Sequence, residues 1–495
     1  MRPIATRLRS LLIPCTLALI FGILLFQTDR ALMKSGDKQR LPHLSTKPAT
    51  KPATQPATQS LAGRPAFSDP AFKATSANTT SAANAFFAPV ITAGKSVNLS
   101  SASPGATLNY TVTIGNSGST ATTGVLFSDT IDANTTLVPG SVNTSPLALN
   151  DAYTSIGNVA IAVPAVNGVL ANDFDPDGTI PAIVAVNTAG TQGTVSLNMA
   201  NGSFTFNPNP GFEGTTMFTY TLSDGALMDT GVVSVTVSGM IWFVDDSVAG
   251  PGDGRLSAPF NSIANFNSLA ADDPGDNIFL FSGNYTGPLT LLNNQKLIGQ
   301  GATASIATIA SINLAGFPFS NALPATGGTR PAIANAGTNL TLGQGNIIRG
   351  FDVTNTGGTG ILGNNFGSLT ASEISVTSSS CSAAVSLTNG NPTASFTTIS
   401  ASSCTNGISL SSTTGSFTVT GTGAADSGGV IQNSTGSGIL ATNAQNLSLT
   451  RMRISNPGNH GIEATNLGGT CLLSNSTIID FALATGNGFK ILNTS

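Results

Sequence analysis

From residue 89 onward, apolar and polar residues alternate with period two. Leu108, Tyr110, Val112 and Ile114 fall on one side of an extended segment, with Asn109, Thr111 and Thr113 on the other. Successive side chains of a strand point to opposite faces, so this pattern predicts a strand with one buried face. Gly115-Asn116-Ser117-Gly118 marks a turn, and Val125-Leu126-Phe127 begins another strand. Further strands are predicted at 159–163, 193–197, 202–206, 218–222 and 232–237. Short strands with turn residues between them at regular spacing point to antiparallel sandwiches.

The pattern changes at Ile241. Ile278-Phe279-Leu280-Phe281 is a continuous apolar run, as in a strand buried on both faces. Farther on, Gly360-Ile361, Ala384-Val385, Gly407-Ile408, Gly438-Ile439, Gly461-Ile462 and Gly488-Phe489 recur, at intervals of 24, 23, 31, 23 and 27 residues. A second β-prone patch follows within each interval, at Leu369, Phe396, Phe417, Leu447 and Leu472. Units of this length that each carry strands predict a solenoid, in which stacked coils share one core. A leucine-rich repeat would need Leu-x-x-Leu-x-Leu, which does not occur. The 31-residue interval predicts a loop near Thr420–Gly429. Asn406-Gly407 and Asn487-Gly488 suit turns with positive φ.

The N-terminus follows other rules. Arg2, Arg7 and Arg9 precede an apolar run from Leu11 to Phe26, the layout of an export signal or membrane anchor. The run is short for a membrane span and long for a signal core, so removal and retention both remain open. Thr46 to Thr58 repeats Pro-Ala-Thr, which favours an extended spacer. The expected organisation is a signal or anchor at 1–33, a linker at 34–88, β domains at 89–147 and 148–239, and a solenoid at 240–495.

Composition narrows the function. Asp, Glu, Lys and Arg make up 8% of residues, against about 25% in an ordinary soluble protein. Helical surfaces need those residues, so a helical fold is excluded. Coil stacking accounts for part of the scarcity, because a charge repeated on every coil would face its own kind, whereas Ser, Thr and Asn form ladders. Two histidines are too few for a histidine-built metal centre. Residues 1–75 carry a net charge of +8 and residues 76–495 a net charge of −12. No Lys or Arg lies between Lys95 and Arg255, which disfavours nucleic acid and favours cations.

Three stretches resemble known families. Pro104-Gly105-Ala106-Thr107-Leu108-Asn109-Tyr110-Thr111-Val112-Thr113-Ile114, Asn116-Ser117-Gly118 and Phe127-Ser128-Asp129-Thr130-Ile131 resemble a conserved bacterial surface repeat, which implies an immunoglobulin-like stalk module. Asn150-Asp151-Ala152-Tyr153, Gly168 to Asp173, Asp175-Pro176-Asp177-Gly178, Gly211-Phe212-Glu213-Gly214 and Ser223-Asp224-Gly225 resemble a bacterial cadherin-like or immunoglobulin-like domain. Asp253 to Ile263, Asp272 to Tyr285 and Gln295 to Gly301 resemble the entry of a pectate-lyase-like right-handed parallel β-helix. The expected fold class is all-β, with two immunoglobulin-like β-sandwiches followed by a right-handed parallel β-helix.

Candidate chemistry is sparse. Asp173, Asp175 and Asp177 alternate before Gly178, and carboxylates spaced this way converge on calcium, with Asn172 or Asp224 as further ligands. The alternative is a turn in which they bond backbone amides. The ion would be structural. Lys95 reads as a solvated lysine, with a Lys–Asn crosslink as the alternative. Cys381 and Cys404 each lie four residues before a ladder position, so stacking would bring them within reach of a disulfide, the alternative being two buried thiols. Cys471 lies outside that register. Glycosidase chemistry needs two carboxylates across the bond, and Asp426 and Glu463 are among the few beyond residue 330. His460 stands in a Gly-Asn-His-Gly turn. The expected function is a non-catalytic, adhesin-like surface protein that binds glycans or other surface molecules. A carbohydrate-active lyase or hydrolase and a plain spacer are the alternatives. The last residues stop inside a coil, which suggests a longer protein or a partner covering that end.

Overall fold

The computed structural model describes residues 11–13, 23–33, 73–75, 89–118, 125–130, 133–138, 141–178, 180–479 and 486–493. Apart from Lys73–Thr75, the expected linker lies outside them. Leu11–Ile13 and Ile23–Met33 are described as strands, and the rest of the apolar N-terminal run lies outside the described residues. Among the described residues, no helix is long and apolar enough to cross a membrane.

The strand predicted by Leu108, Val112 and Ile114 is Thr107–Asn116, with those three side chains buried. It pairs antiparallel with Ile91–Val97. The next domain is a two-sheet sandwich. One sheet runs in the order Ala182–Asn187, Gly214–Ser223, Met228–Ser238, Asp151–Ile156; the other runs Ile161–Val163, Phe204–Pro208, Gly193–Leu197. Alternate residues point inward, so Phe204, Phe206, Phe218, Tyr220, Val233 and Val235 fill the space between the sheets.

Met228–Ser238 leads into the solenoid strand Ile241–Val244 through Gly239 and Met240 alone. From there to Phe489–Leu492 the strands form one 21-stranded parallel sheet wound into coils, the arrangement of a parallel β-helix. Asn406–Thr413 pairs with Ile439–Ala444, Ser416–Val419 with Leu447–Thr450, and Gly429–Gln432 with Met452–Ser455. Each coil therefore has three sides. Ile361, Val385, Ile408, Ile439, Ile462 and Phe489 pair in succession, so the counted repeat is one coil. The second patch is less regular. Leu369 pairs with Pro392, Phe417 with Ala394, and Leu472 with Ser448. The long interval holds a loop, residues 420–428, between two strands.

The glycines of the ladder work by space. Neither Asn406-Gly407 nor Asn487-Gly488 has positive φ, contrary to expectation. A Cβ on Gly407 would lie 2.5 Å from Ile431 Cδ1, and one on Gly438 would lie 2.6 Å from Ile454 Cγ2. Among the corners that do have positive φ, one row is built from Asn365, Asn389, Asn443 and Asn466. Their amides stack: Asn389 donates to Asn365 at 3.1 Å and Asn466 to Asn443 at 2.9 Å.

Sandwich and solenoid share apolar packing. Ile156 and Val159 lie in one cluster with Ile241, Phe243, Phe279 and Ile298. Asn158, fully buried at φ 65°, donates to Ile241 O (3.1 Å) and accepts from Gly211 N (3.0 Å), while its own carbonyl accepts from Leu256 N (2.9 Å). A solenoid insertion extends the sandwich edge: Ala162 N donates to Phe319 O (2.9 Å) and Asn321 N to Ala160 O (2.8 Å). That insertion, between Lys296–Gly299 and Ala332–Asn335, also carries the short helix Ile306–Ala310, which the pattern did not foretell.

Candidate cation site

The turn 173–178 and the hairpin turn at Asp224 come together beside the strand Val142–Thr144. One carboxylate oxygen from each of Asp175, Asp177 and Asp224 lies within 4.8 Å of the others. The backbone aims them. Asp224 Oδ1 accepts from Ala226 N (2.7 Å) and Leu227 N (2.6 Å). Asp175 Oδ1 accepts from Thr144 Oγ1 (2.9 Å) and Asp177 N (3.2 Å), and Asp177 Oδ2 accepts from Thr144 N (3.0 Å). Asp175 is only 9% exposed, and its Oδ2 is buried with no donor. Burial pushes the Asp175 carboxyl above its ordinary pKa, against the hydrogen bonds that favour its ionised form.

Asn143 completes the ring, and its amide has two orientations. With its nitrogen inward it donates to Asp177 Oδ2 (3.0 Å) and Asp224 Oδ2 (3.2 Å). With its oxygen inward, four side chains offer oxygen to one point. The first orientation closes the ring by hydrogen bonds alone; the second leaves an all-oxygen set of the kind that suits a hard divalent cation. Sequence reasoning missed Asn143 because it precedes the acidic block by some thirty residues.

Asp173 does not join this cluster. Its two oxygens accept from the Tyr220 hydroxyl (3.0 and 2.8 Å), and Oδ1 also accepts from Leu149 N (2.7 Å). The chain turns after the Phe174 bridge to Leu147, so Asp173 is held against Tyr220 and Leu149 while Asp175 and Asp177 are carried to the other side of the turn. Asp173 meets Asp151, whose Oδ2 is buried without a donor and which is hydrogen-bonded by Asn172. Burial pushes Asp173 up to about 7, with Asp229 adding to the rise and the bonds from Leu149 and Tyr220 opposing it. Burial, then the charge of Asp173, pushes Asp151 to about 7. Asp173 therefore belongs to a second group with Asp151 and Tyr220, with the exposed Asn172 bonding Asp151 at its edge.

On the solenoid, several charged residues are paired across coils. Glu463 bonds Lys490 Nζ (2.9 Å) and Ser437 Oγ (2.7 Å), and the lysine bond holds its pKa below the ordinary value. Burial alone would raise Glu373, but its hydrogen bonds from Arg349 and Thr303 prevail and hold it at about 2. His460 Nδ1 accepts from Asn487 N (3.2 Å) across one coil. Asp426 sits in the 420–428 loop at φ 57°. Cys381 and Cys404 are disulfide-bonded at a Cα–Cα distance of 4.3 Å, and Cys471 is an exposed free thiol. Lys95 Nζ lies 2.7 Å from Asp129 Oδ2, so a carboxylate faces it in place of an asparagine.

No curated protein and no solved structure matches the chain. Residues 143–239, which supply the whole acidic cluster together with Asn143 and Thr144, match the bacterial cadherin-like domain.

Proposed function

We propose that this chain is an exported, non-catalytic surface protein whose β-helix presents its sides to glycans, held out by sandwich domains of which the second is braced by a divalent cation. The observation that carries this reading is the joint. A sandwich whose Ile156 and Val159 pack into the apolar cluster of the first coils, and which lends an edge to the solenoid insertion, holds the solenoid at a set angle. Such rigidity serves presentation. Calcium at Asp175, Asp177, Asp224 and Asn143 would stiffen the approach from the preceding strand Val142–Thr144 in the same way. Pairing of Glu373 and Glu463 with basic residues supports binding over catalysis, because a general acid or base must be available to its substrate. The buried disulfide suits an oxidising exterior.

Binding to a glycan array, run beside assays for reducing ends and for unsaturated products on a polysaccharide panel, tests the reading. Binding without turnover is expected. Turnover that vanishes in Glu463→Gln or Asp426→Asn would replace it with a carbohydrate-active enzyme. No binding on any array would leave a spacer.

A further inference from the structure

Beyond residue 75 the chain has eight Lys and Arg residues. Five are in ion pairs: Lys95 with Asp129, Arg255 with Asp253, Arg330 with Asp352, Arg349 with Glu373 and Lys490 with Glu463. Lys296 donates to Ser311 Oγ at 3.1 Å. Arg451 and Arg453 differ. Among the described residues, neither guanidinium has a hydrogen-bonding or ionic partner, and Arg453 Nε is buried without an acceptor. Both side chains are half-buried. A guanidinium taken partly out of water with no counter-charge loses hydration and gains nothing in exchange.

The two arginines share one corner of the solenoid. Arg451, at φ 57°, makes the bend between Leu447–Thr450 and Met452–Ser455. Arg453 lies on the second strand between the inward Met452 and Ile454, so it faces outward. In the preceding coil this corner is where residues 420–428 leave the regular path. Gly428 N donates to Arg451 O (2.9 Å), and Val430 pairs with Arg453. The longest of the counted intervals therefore places its extra residues beside two arginines that have neither a hydrogen-bonding nor an ionic partner among the described residues. Asp426 rides on that loop, yet it forms no ion pair with either arginine. On the far side Arg453 pairs with Thr477, and Ser400 Oγ accepts from Val430 N at 3.2 Å, so hydroxyl side chains lie on the neighbouring strands.

We propose that Arg451 and Arg453, under the 420–428 loop, bind the acidic group of a glycan, a uronate carboxylate or a sulfate ester. The proposal rests on the glycan-binding reading above and names the site and the ligand class within it. Planar guanidinium groups match the oxygens of carboxylates and sulfates, and neighbouring hydroxyls match those of a sugar. Nucleic acid is disfavoured, because two cations on a body of net charge −12 neutralise few phosphates.

The test uses the full chain, in EDTA to remove cation bridging, against polygalacturonate, dextran sulfate and unsubstituted dextran. Binding to one or both acidic polymers is expected, weakening with added salt; the polymer that binds tells uronate from sulfate. Arg451→Gln and Arg453→Gln should each weaken it by about ten-fold, the loss of one charge-assisted contact. Arg255→Gln, which removes an equal charge elsewhere, should leave it unchanged. Arg453→Lys keeps the charge and stem and should bind between wild type and Gln, which maintains the test if a Gln variant melts early. Acidic polymers held equally by the Gln variants, or dextran held as tightly as they are, would overturn the site. Neutral glycans bound with the Gln variants unaffected would overturn the site alone, whereas no glycan bound at all would overturn the site and the reading together.

Discussion

Asp175 holds one oxygen against Thr144 and leaves the other buried and unanswered. A cation is the partner that suits such an atom, so added Ca²⁺ should raise Tm. At an ion concentration a hundred times Kd the gain is about 2.7 kcal/mol. Asp175→Asn should abolish the rise, and Asn143→Ala should reduce it; scanning calorimetry with Ca²⁺ and with EDTA reads both. The second acidic group predicts a pH effect of definite sign. Asp151 and Asp173 titrate near 7 in the folded protein and near 3.8 when exposed, so the folded state holds protons that the unfolded state has released. Their contribution is complete below about pH 4 and is lost as pH rises through 7. In EDTA, Tm should therefore be higher at pH 5 than at pH 8, and Asp151→Asn should flatten that slope. An unchanged Tm across this range would show that the pair is ionised together in the fold.

Stacked coils place different demands on their residues. The Gly-Ile ladder resembles a turn signal, yet Gly407 faces the fully buried Ile431, which has nowhere to retreat. Gly407→Ala should cost about 1–3 kcal/mol as overpacking, visible as a lower urea midpoint with an unchanged slope. The Cys381–Cys404 bond joins adjacent coils at a corner and closes a loop of known length. Reduction, or Cys381→Ser with Cys404→Ser, should cost about 2–4 kcal/mol, read as a lower midpoint on adding reductant. The charged residues obey the same stacking rule in reverse: Glu463 tolerates its rung because Lys490 occupies the next.

The molecule as a whole depends on a joint between two architectures. Ile156 and Val159 are fully buried against solenoid residues, so the sandwich covers the apolar end of the first coil. Open solenoid ends expose strand edges and core, and a cover of this kind answers both. Ile156→Ala should cost about 2–5 kcal/mol and lower the melting of both parts together. Scanning calorimetry should show residues 148–479 unfolding in one transition. Two separated transitions, with only the sandwich sensitive to Ile156→Ala, would show the joint to be loose.

Local periodicity carried much of this architecture. Alternation at 108–114 and 193–197, and the recurrence of Gly-Ile every coil, are written in short stretches, because period two and coil length are properties of neighbouring residues. The pairing of Val385 with Ile361 and Ile408 followed by counting. Long-range geometry was not so written. Nothing adjacent to Asp175 indicated Asn143, nothing marked Asn158 as the tie between domains, and the block 173–177 did not reveal that Asp173 turns to Tyr220 while Asp175 and Asp177 turn to the strand before the sandwich. Chain direction at each of those positions depends on which segments pack against it. The same is true of Arg451 and Arg453, whose lack of partners among the described residues depends on where the chain places its carboxylates.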